Sequence, residues 1–142
     1  MYLLDTNICI FVIKRKPPAV LERFQKHSPA DVAISSVTLA ELRYGADKSS
    51  RPPKNHAALD SFLLPLSIAD FDSPAADHYG KVRADIEHRG TPVGPLDTLI
   101  AAHALSLGSI PGDKQYVRIF ASAGIDDRRL DSQLVPCSLR MF

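Results

Sequence analysis

The chain has 142 residues, of which 45% are hydrophobic and 23% charged, and its formal net charge is +1. This is the composition of one globular domain spanning residues 1–142. It excludes an intrinsically disordered chain, and equally a polycation that would hold nucleic acid by bulk charge.

Residues 2–4 read as a short buried strand ending at Asp5, and Asp5-Thr6-Asn7 as a polar break whose side chains favour a turn. The apolar stretch 8–13 is expected to form a helix covering the sheet. Pro17-Pro18 opens the next helix, with Val20, Leu21 and Phe24 on one face. Residues 32–34 form a second strand, followed by a helix carrying Leu39, Leu42 and Tyr44 and stopping near Gly45. The polar, proline-containing stretch 47–56 is a loop or an exposed helix start. Residues 57–64 can be helical, and 66–68 are the third strand. Ser73-Pro74 caps and opens a helix that runs to about Arg89, where Gly90 can end it. A rigid loop over 91–95 delivers Asp97 to the start of a last helix, which ends at Gly108. Short strands alternating with helices predict a three-layer α/β/α domain with a short, mainly parallel sheet.

The N-terminus is apolar first and meets basic residues only at Lys14, the reverse order of a signal peptide. No apolar run is long enough to span a bilayer, so no membrane association and a cytoplasmic setting are expected. Cys9 lies in an apolar run, far in sequence from Cys137, and reads as a small buried hydrophobe. An anionic partner would have to be held by local patches, Lys14-Arg15-Lys16 or Arg51 with Lys54. On charge alone a solvated surface is the better account of both.

Three acids carry the chemical interest: Asp5 in YLLDTN, Glu41 in TLAELRYG and Asp97 in GPLDTLIAAH. Each stands beside a strand end or helix start, where an open α/β sheet gathers side chains into one cleft. Carboxylates collected there repel one another unless a cation neutralises them, and all-oxygen ligation suits Mg²⁺, with Mn²⁺ as an alternative, rather than zinc. Each acid also has a plain role. Asp5 can be a turn residue, Glu41 has capping-box spacing from Thr38, and Asp97 can cap its helix. Taken singly, none decides. His103 falls on a different helix face from Asp97 and reads as a packed or surface residue, and His27, His56, His78 and His88 show no zinc spacing. An aspartate-nucleophile phosphatase would want a second Asp two residues after Asp5, where Asn7 stands.

Taken together, YLLDTNICIFVIK, ISSVTLAELRYGADKS and RGTPVGPLDTLIAAHALSLG resemble the PIN-domain ribonucleases of the VapC toxin class, in residue, order and spacing, from Met1 to about Ile110. The resemblance implies that Asp5, Glu41 and Asp97 hold one or two Mg²⁺ or Mn²⁺ ions, with Thr6 and Asn7 orienting the site. It implies a metal-activated water that attacks an RNA phosphodiester, in tRNA for the most similar members. It also implies a VapB-like antitoxin as partner and a homodimer.

Beyond residue 111 the pattern departs from that family. The family would continue with a buried strand and a Val-Thr-Asn-Asn motif, whereas the pattern of 112–142 supports no strand. Read one base out of frame, Gly112-Asp113-Lys114-Gln115 can encode Val-Thr-Asn-Asn, and Arg118-Ile119 can encode Glu-Phe. A one-nucleotide insertion near Pro111 therefore accounts for 112–142 as an out-of-frame tail. The loss of a final strand would expose a sheet edge and lower stability. Two other outcomes stay open. One is a genuinely divergent tail in which Asp113 supplies a fourth acid. The other is a catalytically impaired chain that only binds its antitoxin.

Overall fold

A computed structural model of the chain describes residues 2–90, 93–108 and 118–120. The first apolar run forms β1 (Tyr2–Leu4), with Leu3 and Leu4 buried completely. Burial on both faces marks an interior strand of a parallel sheet, and β1 indeed lies between two neighbours. The order is β3-β2-β1-β4, with every pairing parallel. Here β2 is Val32–Ser35, β3 is Ser67–Ala69 and β4 is Arg118–Phe120. Leu3 stands opposite Ala33 and Leu4 opposite Ile34.

Strand alternation sends these pairs to opposite faces and thereby creates two cores. On one face, Leu4, Val32 and Ile34 meet Ile8, Cys9 and Val12 of α1 (Thr6–Lys14). Leu42 of α3 (Ser36–Asp47) and Leu59 of α4 (Pro52–Leu63) join them, with α2 (Pro18–Phe24) packed at the margin. On the other face, Leu3 and Ala33 meet Ile100 and Ala104 of α6 (Pro95–Gly108), against which α5 (Ser73–His88) packs. Three layers result, as expected from the sequence.

Three local expectations are corrected and one open alternative is decided. Helix α3 continues through Gly45 to Asp47. A helical glycine costs about 1 kcal/mol, and burial of Leu42 and Ala46 on the same helix offsets that. Of the two readings of 47–56, the exposed helix start holds, with Pro52-Pro53 opening α4, since proline is at home in a helix's first turn. The cap of α5 is Asp72, whose Oδ1 accepts from Ala75 N at 3.0 Å, and Ser73 and Pro74 are already helical. Finally, β4 lies beside β1, with Leu3 opposite Ile119, where no strand was expected. Its backbone pairs with an interior strand, and pairing of that kind leaves no trace in hydrophobic periodicity. The edge of β1 is therefore covered. The remaining residues of 112–142, and with them Asp113 and the frame question, lie outside the described residues. Among the described residues, no helix is long and apolar enough to cross a membrane.

Candidate active site

Asp5 leaves the carboxyl end of β1 and immediately caps α1. Its backbone is extended and its Oδ1 accepts a 2.7 Å hydrogen bond from Ile8 N. The turn role and the cleft position thus fall on the same residue. The side chain is half-buried. Cys9, one turn further on, is fully buried. Burial raises its thiol pKa well above the ordinary range, and the nearby Asp5 carboxylate pushes in the same direction.

Glu41 does not cap its helix. Ser35, the last residue of β2, is the N-cap of α3, with Oγ accepting from Val37 N at 3.1 Å. Thr38 sits inside the first turn, fully buried. Glu41 lies in the second turn, half-buried, where Oε2 accepts a short hydrogen bond from the Thr6 hydroxyl. One hydroxyl therefore ties the residue after Asp5 to Glu41, joining the turn at the end of β1 to the helix that follows β2. Asn7 is exposed in the first turn of α1.

Asp97 occupies the first turn of α6 and is exposed. Acids are favoured there by the partial positive charge of the helix N-terminus. Its carboxylate folds back over Gly94. A Cβ placed on that glycine would lie 2.9 Å from Asp97 Oδ2, closer than Cβ atoms come to anything. The Gly94 carbonyl accepts from both Thr98 N and Thr98 Oγ1, each at 2.9 Å, so the loop under the carboxylate is fixed.

The structure thus joins Thr6 to Glu41 directly, keeps Asp5 one residue away, and presents Asp97 from the opposite layer. Among the described residues, no three Asp, Glu, His or Cys side chains stand close enough together to hold one ion. The donor chemistry still suits a hard divalent cation, since all the donors are carboxylate oxygens and Gly94 leaves an open seat for one of them. Lys14, Arg15 and Lys16 close α1 at its far end, about 14 Å from Asp5 at 1.5 Å per residue, so that patch is not part of this edge. A surface cleft of about 450 Å³ between α5 and α6, lined by Tyr79, Arg83, Ile86, Glu87 and Thr98, includes neither Asp5 nor Glu41. Gly94, Ser35 and His103 are contributors that the motifs did not single out. Only Ser35 has a local signal, as a hydroxyl residue just before a helical pattern.

A parallel α/β sheet with one carboxylate at the end of β1, one in the second turn of the helix after β2 and one at a facing helix start defines an α/β domain with an acidic edge. Residues 2–119 match the family model described as PIN domain. The tRNA(fMet)-specific endonuclease VapC of Shigella flexneri is 50% identical over 109 residues, covering 77% of this chain and 82% of that one. Ribonuclease VapC2 of Haemophilus influenzae is 45% identical over the same length and coverage. The crystal structure of VapBC2 from Rickettsia felis bound to a promoter DNA fragment superposes with a TM-score of 0.72 at 32% identity, over 84% of this chain and 96% of that one. The DNA-bound VapBC of Salmonella typhimurium gives 0.70 at 42% identity, with the same coverage. The chain belongs to the PIN-domain family, within its VapC ribonucleases.

Proposed function

We propose that this chain is the toxin of a toxin–antitoxin pair, an endoribonuclease that needs Mg²⁺, or Mn²⁺ in its place, to hydrolyse a phosphodiester in RNA. The observation that carries the proposal is the Thr6–Glu41 hydrogen bond, which couples the first two acidic motifs at the carboxyl edge of the two interior strands. That is where parallel α/β sheets build their sites. Asp5, Glu41 and Asp97 would hold the cation, Asp97 from the other side of the edge. When bound, the ion supplies an activated water and neutralises charge at the leaving oxygen. Thr6 fixes the rotamer of Glu41. The cap bond to Ile8 fixes Asp5 at the mouth of α1, with Oδ1 turned to the backbone. Asn7, exposed in the same turn, would help to orient the site.

The Shigella relative's name supports tRNA as the substrate class, and the Rickettsia and Salmonella complexes support a VapB-like antitoxin as partner. A homodimer and a cytoplasmic location complete the reading. The test is cleavage of purified tRNA by the full chain with Mg²⁺, with EDTA and with Asp5→Asn. Cleavage that requires the metal and is lost in the variant supports the proposal. An intact chain that captures a VapB-like antitoxin but never cuts RNA would instead be a binding-only protein.

A further inference from the structure

The buried imidazole of His103 has no part in the chemistry above, yet it stands where the two halves of the acidic edge meet. His103 is completely buried in α6, and its Nδ1 lies 2.8 Å from Ser35 Oγ. That same oxygen caps α3 by accepting from Val37 N. One turn-forming serine is therefore bonded at once to the helix that carries Glu41 and to the helix that carries Asp97. The next residue extends the joint, because Ser36 Oγ accepts from Phe71 N at 3.1 Å. The Phe71 ring meets the His103 imidazole edge-on, with centroids 5.4 Å apart.

Burying a histidine here is unfavourable by comparison with leucine. Nε2 makes no close hydrogen bond among the described residues, and a buried polar atom without one is destabilising. Burial also lowers the imidazole pKa, opposed by the Asp72 charge and by the backbone and charge of Asp70. The 2.8 Å contact between Nδ1 and the Ser35 hydroxyl is the one side-chain hydrogen bond of the ring among the described residues. The other buried residues of α6 are Thr98, Ile100, Ala101, Ala102, Ala104 and Ser106, and the hydroxyls of Thr98 and Ser106 donate to carbonyls within or just before the same helix, those of Gly94 and His103. Apart from His103, that face is alanine-rich and has no side-chain hydrogen bond to the sheet among the described residues, so it does little to resist sliding on the sheet. Asp97 lies six residues from His103, about 9 Å along the axis, so any slip of α6 displaces its carboxylate by the same distance.

We infer that His103, through its bond to Ser35, is a positioning residue that sets the register of α6 against α3 and so brings Asp97 to the edge that holds Asp5 and Glu41. This rests on the reading that the three acids act as one metal site.

The test compares the parent chain with His103→Leu, His103→Asn and Ser35→Ala. Asn can place a polar atom near Nδ1, whereas Leu fills the space without one. Two readouts are taken: tRNA cleavage under Mg²⁺ titration, and Mn²⁺ binding by electron paramagnetic resonance with no RNA present. His103→Leu should lower kcat at least about tenfold, since a 1 Å misplacement can cost about a hundredfold. It should leave KM for RNA unchanged and weaken Mn²⁺ binding. His103→Asn should recover to within about threefold of the parent, because the bond that fixes the register is restored. Combining Ser35→Ala with His103→Leu should add little to either alone, as expected for two ends of one bond.

Equal losses in Leu and Asn, a fully multiplicative double variant, or parental metal binding in His103→Leu would each overturn the inference. If His103→Leu does not fold, the comparison of Asn with Ser35→Ala decides by the same criteria. If the parent binds Mn²⁺ but cuts no RNA, the proposed function fails while metal binding still tests the register. If the parent does neither, both readings fall.

Discussion

Replacing Gly94 by alanine isolates the placement of Asp97 from the stability of the fold. The glycine's φ lies outside the left-handed range, so an alanine adopts its backbone without strain, and the bonds from Thr98 to the Gly94 carbonyl are untouched. The one consequence is the 2.9 Å approach of the new Cβ to Asp97 Oδ2. Ordinary contact requires the carboxylate to withdraw by at least about 0.5 Å. Because Oδ2 is the free end of a side chain, it can move at little cost to stability. Loss of freedom in the unfolded chain stabilises a compatible Gly→Ala change by about 0.4–1 kcal/mol. The expected outcome is an unchanged or slightly raised thermal midpoint together with roughly a tenfold loss of metal-dependent RNA cleavage, scaled from the sensitivity of catalysis to misplacement. The assay pairs thermal unfolding with single-turnover cleavage at several Mg²⁺ concentrations. Parental or faster cleavage would refute the idea that the Gly94 seat is where Asp97 works, and a large drop in stability would refute the claim that only the carboxylate is displaced.

Asp5→Asn should abolish cleavage while thermal stability stays within about 1 kcal/mol of the parent, because asparagine caps helices as well as aspartate does; residual cleavage at the parental rate would remove Asp5 from the site. Thr6→Val deletes the hydroxyl bonded to Glu41 at nearly constant volume. It should weaken cleavage and its Mg²⁺ dependence several-fold, Thr6→Ser should restore both, and equal behaviour of the two variants would count against the hydroxyl. The pH profile of stability has a defined sign at each end. The pKa of His103 is lower folded than unfolded, so stability is lost as pH falls below its ordinary value of 6.5. The Cys9 thiol pKa is higher folded than unfolded, so stability is lost as pH rises above 9.0. Thermal unfolding from pH 5 to 10 checks both, and His103→Asn and Cys9→Ala should flatten the acid and alkaline limbs respectively.

The interior strands were legible because β1 and β2 are buried on both faces and read as continuous apolar runs, whereas the exposed edge strand β3 was placed one residue early. Other features depended on contacts that no local pattern records. The Thr38–Glu41 spacing suggested a cap, yet Ser35 caps α3, and the partner of Glu41 is Thr6, 35 positions away. His103 and Ser35 are separated by 68 positions. The covering of β1 by β4 belongs to the same class, since a strand of three residues is held in place by its neighbour rather than by its own pattern. Of the plain readings, the one for Asp5 holds, since its carboxylate caps α1, and the one for Glu41 does not. The cap bond from Asp5 to Ile8 turns the chain from β1 into α1 and thereby sets Thr6 where its hydroxyl reaches Glu41. The cap and the cleft position therefore fall on one residue, so a capping role for Asp5 does not argue against a site at that edge.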